Sequence, residues 1–289
     1  MRRQAILAAI AITGMAVAAA GQQAPPVAEI QKVGDNLYVL TGGGGNTAAF
    51  IRADGVTLVD TKLANWGPAI MEKLRTVTDR PVTTIINTHT HGDHVGSNEF
   101  FNERVEIVTH ENTRANMERM DALKGKPQAM PDRTYKDRLT LGSGAEQIDL
   151  YYFGPGHTNG DTLVVFPALR VLHAGDLFPG KQTPFMDTNN GGSGVAYPDT
   201  LAKAAQAIRD VDRVIPGHST VMTWADLVEF TDFNREFLAA ARAARQAGRT
   251  PEQAAAELKL PARFSAYNMN RAEVNMKTIY GELGELGGR

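Results

Sequence analysis

With 289 residues, 43% of them hydrophobic and 21% charged, the chain has the composition of a globular protein with room for one large core. A net charge of −2 argues against a nucleic-acid partner, which calls for a basic stripe or domain. The absence of cysteine excludes disulfides and thiolate ligands, so any metal must be held by nitrogen and oxygen.

The chain opens with Arg2 and Arg3, then an apolar run from Ala5 to Ala20 that ends in small residues before Gly21. That layout predicts a secretory signal peptide over residues 1–20. A membrane anchor is the alternative, but a span requires roughly 20 apolar residues and this run is shorter. The expectation is an exported protein, periplasmic or secreted, with no stable membrane attachment after cleavage. The stretch "GQQAPPVAEI" then reads as a linker.

Beyond it, "NLYVLT" and "TAAFIRADGVTLVDT" are rich in β-branched and apolar residues punctuated by "GGGG" and "ADG", which predicts three short strands in hairpins. "NWGPAIMEKLRTV" has helical spacing, with Ile70, Leu74 and Val77 on one face. "PVTTIIN" reads as a strand, "VGSNEFFNE" as a helix and "VEIVTH" as a strand again. A second strand-rich block comprises "DRLTL", "QIDLYYF", "TLVVF" and "LRVLHAG". Helix "DTLAKAAQAIRDV" and strand "DRVIPGH" close it. The remainder is helical: a long amphipathic segment from Thr223, a proline-led helix with a capping box at Thr250 and Gln253, and a last helix after Asn270. Two strand-plus-helix halves imply an α+β fold, with two sheets face to face and helices outside.

The chemistry concentrates in "IINTHTHGDHVGSN", where His89, His91, Asp93 and His94 fall within six positions. Alternating histidines can converge on one point, and the adjacent carboxylate and imidazole offer a second. Neutral imidazole with carboxylate suits zinc, and also iron or manganese. Further candidates lie at strand ends beside glycine: His157 in "GPGHTNGD", Asp176 in "HAGDLF" and His218 in "VIPGHST". Glycine at such places permits close approach of neighbouring loops.

In this order, "THTHGDH", "GPGHTNGD", "HAGDLF" and "VIPGH" resemble the metallo-β-lactamase-fold superfamily of hydrolases. The resemblance runs from about Ala28 to the last helix. It implies one domain over 21–289 with an αββα four-layer sandwich, a helical C-terminal segment and a dinuclear metal site at one sheet edge. By the family pattern, His89, His91 and His157 hold one divalent ion, Asp93, His94 and His218 the other, and Asp176 bridges both. Two ions of this kind, most naturally zinc, share a hydroxide that attacks an ester, thioester, lactone or amide-type bond. Asp93 is the expected catalytic residue, ligating and orienting that nucleophile or taking its proton.

Two alternatives stand beside this expectation. The β-lactamases of the family carry cysteine or serine where this chain has Asp176, so a dedicated zinc β-lactamase is the second reading and a general small-molecule hydrolase the first. A non-catalytic exported metal-binding module is the third. Thr88, Thr90 and Thr158 are candidates for hydrogen bonds to ligands or for solvated turns. His110 and His173 are expected to be structural. Residues 177–194 are expected to line the substrate pocket, with Lys181 able to bind a carboxylate or phosphate and Asn190 to donate to an oxyanion. Phe178, Phe185 and Trp66 either wall that pocket or pack in the core. The C-terminal helices could cover the pocket, form a dimer contact or pack on the sheet.

Overall fold

Two sets of strands sort their apolar side chains between one shared interior and two outer faces. The computed structural model describes residues 28–101 and 103–287, and the expected signal segment lies outside them. The first sheet runs in the order β1 (Glu29–Gly34), β2 (Leu37–Thr41), β3 (Thr47–Arg52), β4 (Gly55–Val59), β5 (Val82–Ile86), β6 (Glu106–His110) and β7 (Arg133–Tyr135). Its first four strands are antiparallel, and β4 to β7 are parallel. The second sheet contains β8 (Arg138–Leu141), β9 (Ile148–Tyr151), β10 (Leu163–Phe166), β11 (Val171–Gly175), β12 (Arg213–Pro216) and β13 (Met222–Thr223), lying side by side in chain order. Only β11 and β12 are parallel there.

The layers follow from residue alternation. In β10, Val164 and Phe166 join Val39, Phe50 and Ile86 of the first sheet in the core between the sheets. Leu163 and Val165 point the other way, toward helices α4 (Tyr197–Ala207), α5 (Trp224–Gln246) and α7 (Ala272–Gly287). On the far side of the first sheet, Leu58 and Ile85 meet Ile70 and Leu74 of α1 (Gly67–Leu74). The result is an αββα sandwich with a helical C-terminal segment, as the sequence implies. Buried on both faces, the central strands read as apolar runs without clean alternation.

Two of the differences from expectation bear on the sheet edge and the ligand-bearing segment. The end of the "GQQAPPVAEI" linker is already strand, because β1 begins at Glu29. It is an edge strand with Glu29, Gln31 and Lys32 exposed, so its sequence carries little apolar signal. The helix expected over "VGSNEFFNE" is instead a four-residue turn of helix, α2 (Gly92–Val95), and a separate 3-10 turn at Asn98–Phe100. Ser97 breaks it: its hydroxyl donates to Leu63 O at 2.6 Å and accepts from Trp66 N at 2.9 Å, tying the chain to the start of α1. The capping box expected at Thr250 and Gln253 forms on α6 (Pro251–Ala256), and α5 carries another, unforeseen one between Thr223 and Asp226, whereas the last helix begins at Ala272, one residue too late for Asn270 to cap it. No helix among the described residues is long and apolar enough to cross a membrane.

Candidate metal centre

Strand direction brings the ligand-type residues to one edge. The segment after β5 carries His89 to His94, and the loop after β9 carries His157. Parallel neighbours β11 and β12 end side by side, delivering Asp176 and His218. Two groups of donor atoms form there: His89, His91, His157 and Asp176 in one, Asp93, His94 and His218 in the other. In the first, His91 Nδ1 lies 3.2 Å from His89 Nε2 and 2.9 Å from His157 Nε2. In the second, His218 Nε2 lies 3.4 Å from His94 Nε2 and 3.3 Å from Asp93 Oδ2. Asp176 borders both, with Oδ2 3.7 Å from His157 Nε2 and 3.2 Å from His218 Nε2. Four ligands about 2.0–2.1 Å from a tetrahedral ion stand about 3.3 Å from one another, so these spacings fit.

The outward nitrogens explain why the inward ones are free to ligate. His157 Nδ1 meets the Phe185 carbonyl at 2.7 Å, His91 Nε2 meets Asp187 Oδ2 at 2.7 Å, and His94 Nδ1 meets Asp60 Oδ2 at 2.7 Å. Carbonyl and carboxylate oxygens only accept, so each of those ring nitrogens carries a proton, and in the neutral ring the opposite nitrogen keeps its lone pair. For His89 the partner is Thr88, whose hydroxyl donates to Asp60 Oδ2 at 2.7 Å and so accepts from His89 Nδ1 at 3.0 Å. His91 Nδ1 and His157 Nε2 therefore face each other as two lone pairs. Such a contact repels unless a cation sits between them.

Charge completes the fit. Burial pushes His157 down to about 4, which keeps it neutral and able to ligate. Burial also works against the charged Asp176, but His94 and the hydrogen bond from His218 outweigh it and hold that carboxyl well below the usual range. Asp176 Oδ1 is buried and without a hydrogen-bond partner, 3.3 Å from His94 Nε2. An orphaned buried carboxylate oxygen amid imidazole lone pairs is the environment a divalent cation satisfies. Beside the Asp176 and Asp93 carboxylates, the His218 imidazole is pushed up to about 9.

Two glycines make room for this packing. A Cβ on Gly217 would stand 1.9 Å from Asp176 Oδ1, and one on Gly45 would stand 2.2 Å from His94 Cε1. The loop bearing Gly45 is fixed from behind by Lys62, fully buried, whose ammonium donates to Leu40 O at 2.8 Å and Gly45 O at 2.9 Å. Burial pushes that lysine down to about 7.

The structure thus brings together all seven ligand-type residues singled out in the sequence. Of the threonines, only Thr88 meets one of them. Thr90 donates to Met120 Sδ at 3.3 Å, and Thr158 donates to Asp161 at 2.6 Å. His110 caps α3 (Glu111–Met117) by accepting from Asn112 N, and His173 faces Asn46 O at 3.1 Å; neither belongs to the two groups. A cavity of about 600 Å³ opens over the centre, lined by His91, Asp93, Asp176 and His218 together with Pro179, Gln182, Thr183 and Phe185 of the expected loop.

Lys181 and Asn190 do not line this cavity. The ammonium of Lys181 is held by Asp226 at 3.0 Å and Glu229 at 3.1 Å, and Asn190 Nδ2 donates to Asp187 Oδ2 at 2.7 Å. Phe178 is fully buried in the core, Trp66 precedes α1, and Phe185 alone of the three aromatic candidates reaches the cavity. Sequence reasoning misses Asp60, Asp187 and Arg271, the last also a cavity residue. An aspartate closing the apolar strand "VTLVD" is a usable signal for Asp60; no local signal marks the other two.

The description "Metallo-beta-lactamase superfamily" matches residues 40–218. A protein of Elizabethkingia meningoseptica named metallo-beta-lactamase type 2 is 27% identical over 241 residues, covering 77% of this chain and 88% of that one. A Bacteroides fragilis protein of the same name is 28% identical over 137 residues, 47% of this chain. The match spans only about half, 53%, of that relative's length. Among solved structures, a stereoselective inverting sec-alkylsulfatase of Pseudomonas sp. superposes with a TM-score of 0.73 at 15% identity, covering 89% of this chain and 50% of that one. At that identity the likeness speaks for the fold alone. The match to residues 40–218 spans the strand ends that carry all seven ligand-type residues, and with it the chain belongs to the metallo-beta-lactamase superfamily of hydrolases.

Proposed function

We propose that this chain is an exported, zinc-dependent hydrolase that cleaves an ester, thioester, lactone or amide-type bond in a small molecule. One observation carries the reading: five imidazoles and two carboxylates gather their donor atoms at one sheet edge, four of the rings oriented by an outer acceptor or hydroxyl, beneath a cavity of about 600 Å³ walled in part by Asp93 and Asp176. In this reading His89, His91 and His157 would hold one ion and Asp93, His94 and His218 the other, with Asp176 beside both groups. Bound divalent ions supply a water nucleophile at neutral pH and polarise the scissile carbonyl.

The protein's own groups do the rest. Asp60, Thr88, Asp187 and the Phe185 carbonyl lock ring orientation, so the donor set is organised before substrate arrives. Asp93 keeps a side chain 30% exposed toward the cavity. Burial would raise its pKa, but the hydrogen bond from His218 and the nearby His94 lower it overall, so it stays ionised. An ionised carboxylate at the cavity wall can orient the attacking water and take its proton.

The identity to proteins named metallo-beta-lactamase type 2 favours lactam hydrolysis as the second reading. Export rests on Arg2, Arg3 and the apolar run that follows, with the hydrolase unit spanning 21–289. N-terminal sequencing of protein recovered outside the cytoplasm tests that part. The activity is tested by a panel of chromogenic lactam, thioester, lactone and carboxylic-ester substrates, with metal content measured on the same sample. Turnover of one or more acyl substrates is expected. A chain carrying two zinc ions that cleaves none of them defeats the proposal.

A further inference from the structure

The cavity over the metal centre has one permanent cation in its wall, and that cation comes from outside the matched family region. Arg271 stands at the start of α7, well past residue 218, and lines the cavity with His91, Asp93, Asp176 and His218. Its guanidinium carbon lies 5.0 Å from the ring centre of Phe185, and that ring stacks on His91 at 5.8 Å. Those two steps bound the separation of Arg271 from the His91 ring at about 11 Å, within the reach of one small substrate.

The backbone beneath Arg271 is firmly placed. Its amide donates to Thr183 Oγ1 at 3.0 Å, Thr183 N donates to Asn268 O at 2.8 Å, and Asn275 Nδ2 donates to Pro184 O at 3.0 Å. These bonds dock residues 268–275 on the cavity loop. The charged head, by contrast, has no carboxylate or hydrogen-bond partner among the described residues. Lys181, the other cation of this wall's loop, is neutralised by Asp226 and Glu229 and lies outside the cavity lining. Stacking on Phe185 holds the guanidinium by its face, and its N–H edges can still bind an oxyanion in a bidentate manner.

We propose that Arg271 is a specificity-determining residue that binds an oxyanion, above all a carboxylate, borne by the substrate away from its scissile bond. This rests on the hydrolytic reading above and narrows it to anionic substrates. A positively charged wall beside the ligand cluster selects an acyl compound with a free acid at one end and rejects its neutral ester. A phosphate or sulfate at the same place would use the same donors.

The test compares nitrophenyl monoesters of straight dicarboxylic acids with nitrophenyl alkanoates of equal length, on the zinc-loaded full chain and its Arg271→Gln and Arg271→Lys variants at equal metal content. Arg271→Gln should raise KM about 10- to 100-fold for the anionic esters, leave kcat within a few-fold and leave the neutral esters unchanged, a loss typical of one charged hydrogen-bonded contact. Arg271→Lys should restore part of the preference. Parallel titrations with glutarate, methyl phosphate and methyl sulfate, read by calorimetry, should give weaker binding to Arg271→Gln and rank the anions. Equal losses for charged and neutral esters, or glutarate affinity unchanged by Arg271→Gln, overturn the proposal. If the wild-type chain cleaves none of the lactam, thioester, lactone and ester substrates, the hydrolytic reading fails, and the glutarate titration still decides the role of Arg271.

Discussion

Asp187 Oδ2 and His91 Nε2 meet at 2.7 Å across 96 positions of sequence. The carboxylate accepts the ring proton and leaves His91 Nδ1 with its lone pair toward His89 and His157. Asp187 is itself held by Asn190 Nδ2 at 2.7 Å, so one residue both caps a turn of the cavity loop and sets a ligand's tautomer.

Replacing Asp187 by alanine frees the His91 ring to rotate and to take the wrong tautomer. Loss of such an outer partner typically costs 10- to 100-fold in metal affinity or activity, about 1.4–2.7 kcal/mol. Competition with a chromogenic chelator should show this weakening in Asp187→Ala while circular dichroism stays that of the wild type.

The close approach of Gly217 to Asp176 makes a sharper prediction. A methyl at 217 cannot coexist with Asp176 Oδ1 only 1.9 Å away, so Gly217→Ala should displace the carboxylate that borders both donor groups. Elemental analysis is expected to find fewer than two ions per chain. Gly45→Ala, which drives a methyl against His94, should act in the same direction.

Metal removal should be felt as stability, because the lone pairs of His91 and His157 are left facing each other at 2.9 Å. An ion present at a thousand times its Kd contributes about 4 kcal/mol, and for a chain of this size that corresponds to a Tm shift on the order of 10 °C. A thermal scan before and after treatment with a chelator checks it, and re-addition of zinc should restore the original Tm.

The acid limb of stability has a buried contributor outside the centre. Burial pushes His173 down to about 4, with its Nε2 facing Asn46 O. Folding lowers this pKa from the ordinary 6.5, so the stabilisation it carries is complete above pH 6.5 and is lost as pH falls toward 4. The change is worth about 3 kcal/mol at most. Denaturant midpoints measured between pH 7 and 4 should fall less steeply in His173→Gln than in the wild type.

The ligand-type cluster is legible in the sequence because four such side chains crowd into residues 89–94 and the others sit beside glycine at apolar strand ends. The layers are legible for a similar reason: strands such as "TLVVF" and "TTII" are too apolar to face water on either side. What stays hidden depends on docking between distant segments. Lys181 looks like a substrate cation until α5 presents Asp226 and Glu229 to it. Arg271 looks like an ordinary helix-start arginine until residues 268–275 hydrogen-bond to the loop at 181–184. Ser97, a plain small residue by sequence, ends a helix because its hydroxyl finds partners at residues 63 and 66.

The most direct test of the proposed dinuclear centre is native mass spectrometry of the full chain reconstituted with zinc and exchanged into metal-free buffer. Two tightly held ions per wild-type chain, reduced in Asp176→Ala, are the predicted result. A wild-type chain that retains no zinc, or an Asp176→Ala chain that retains both ions as firmly as the wild type, would contradict the account.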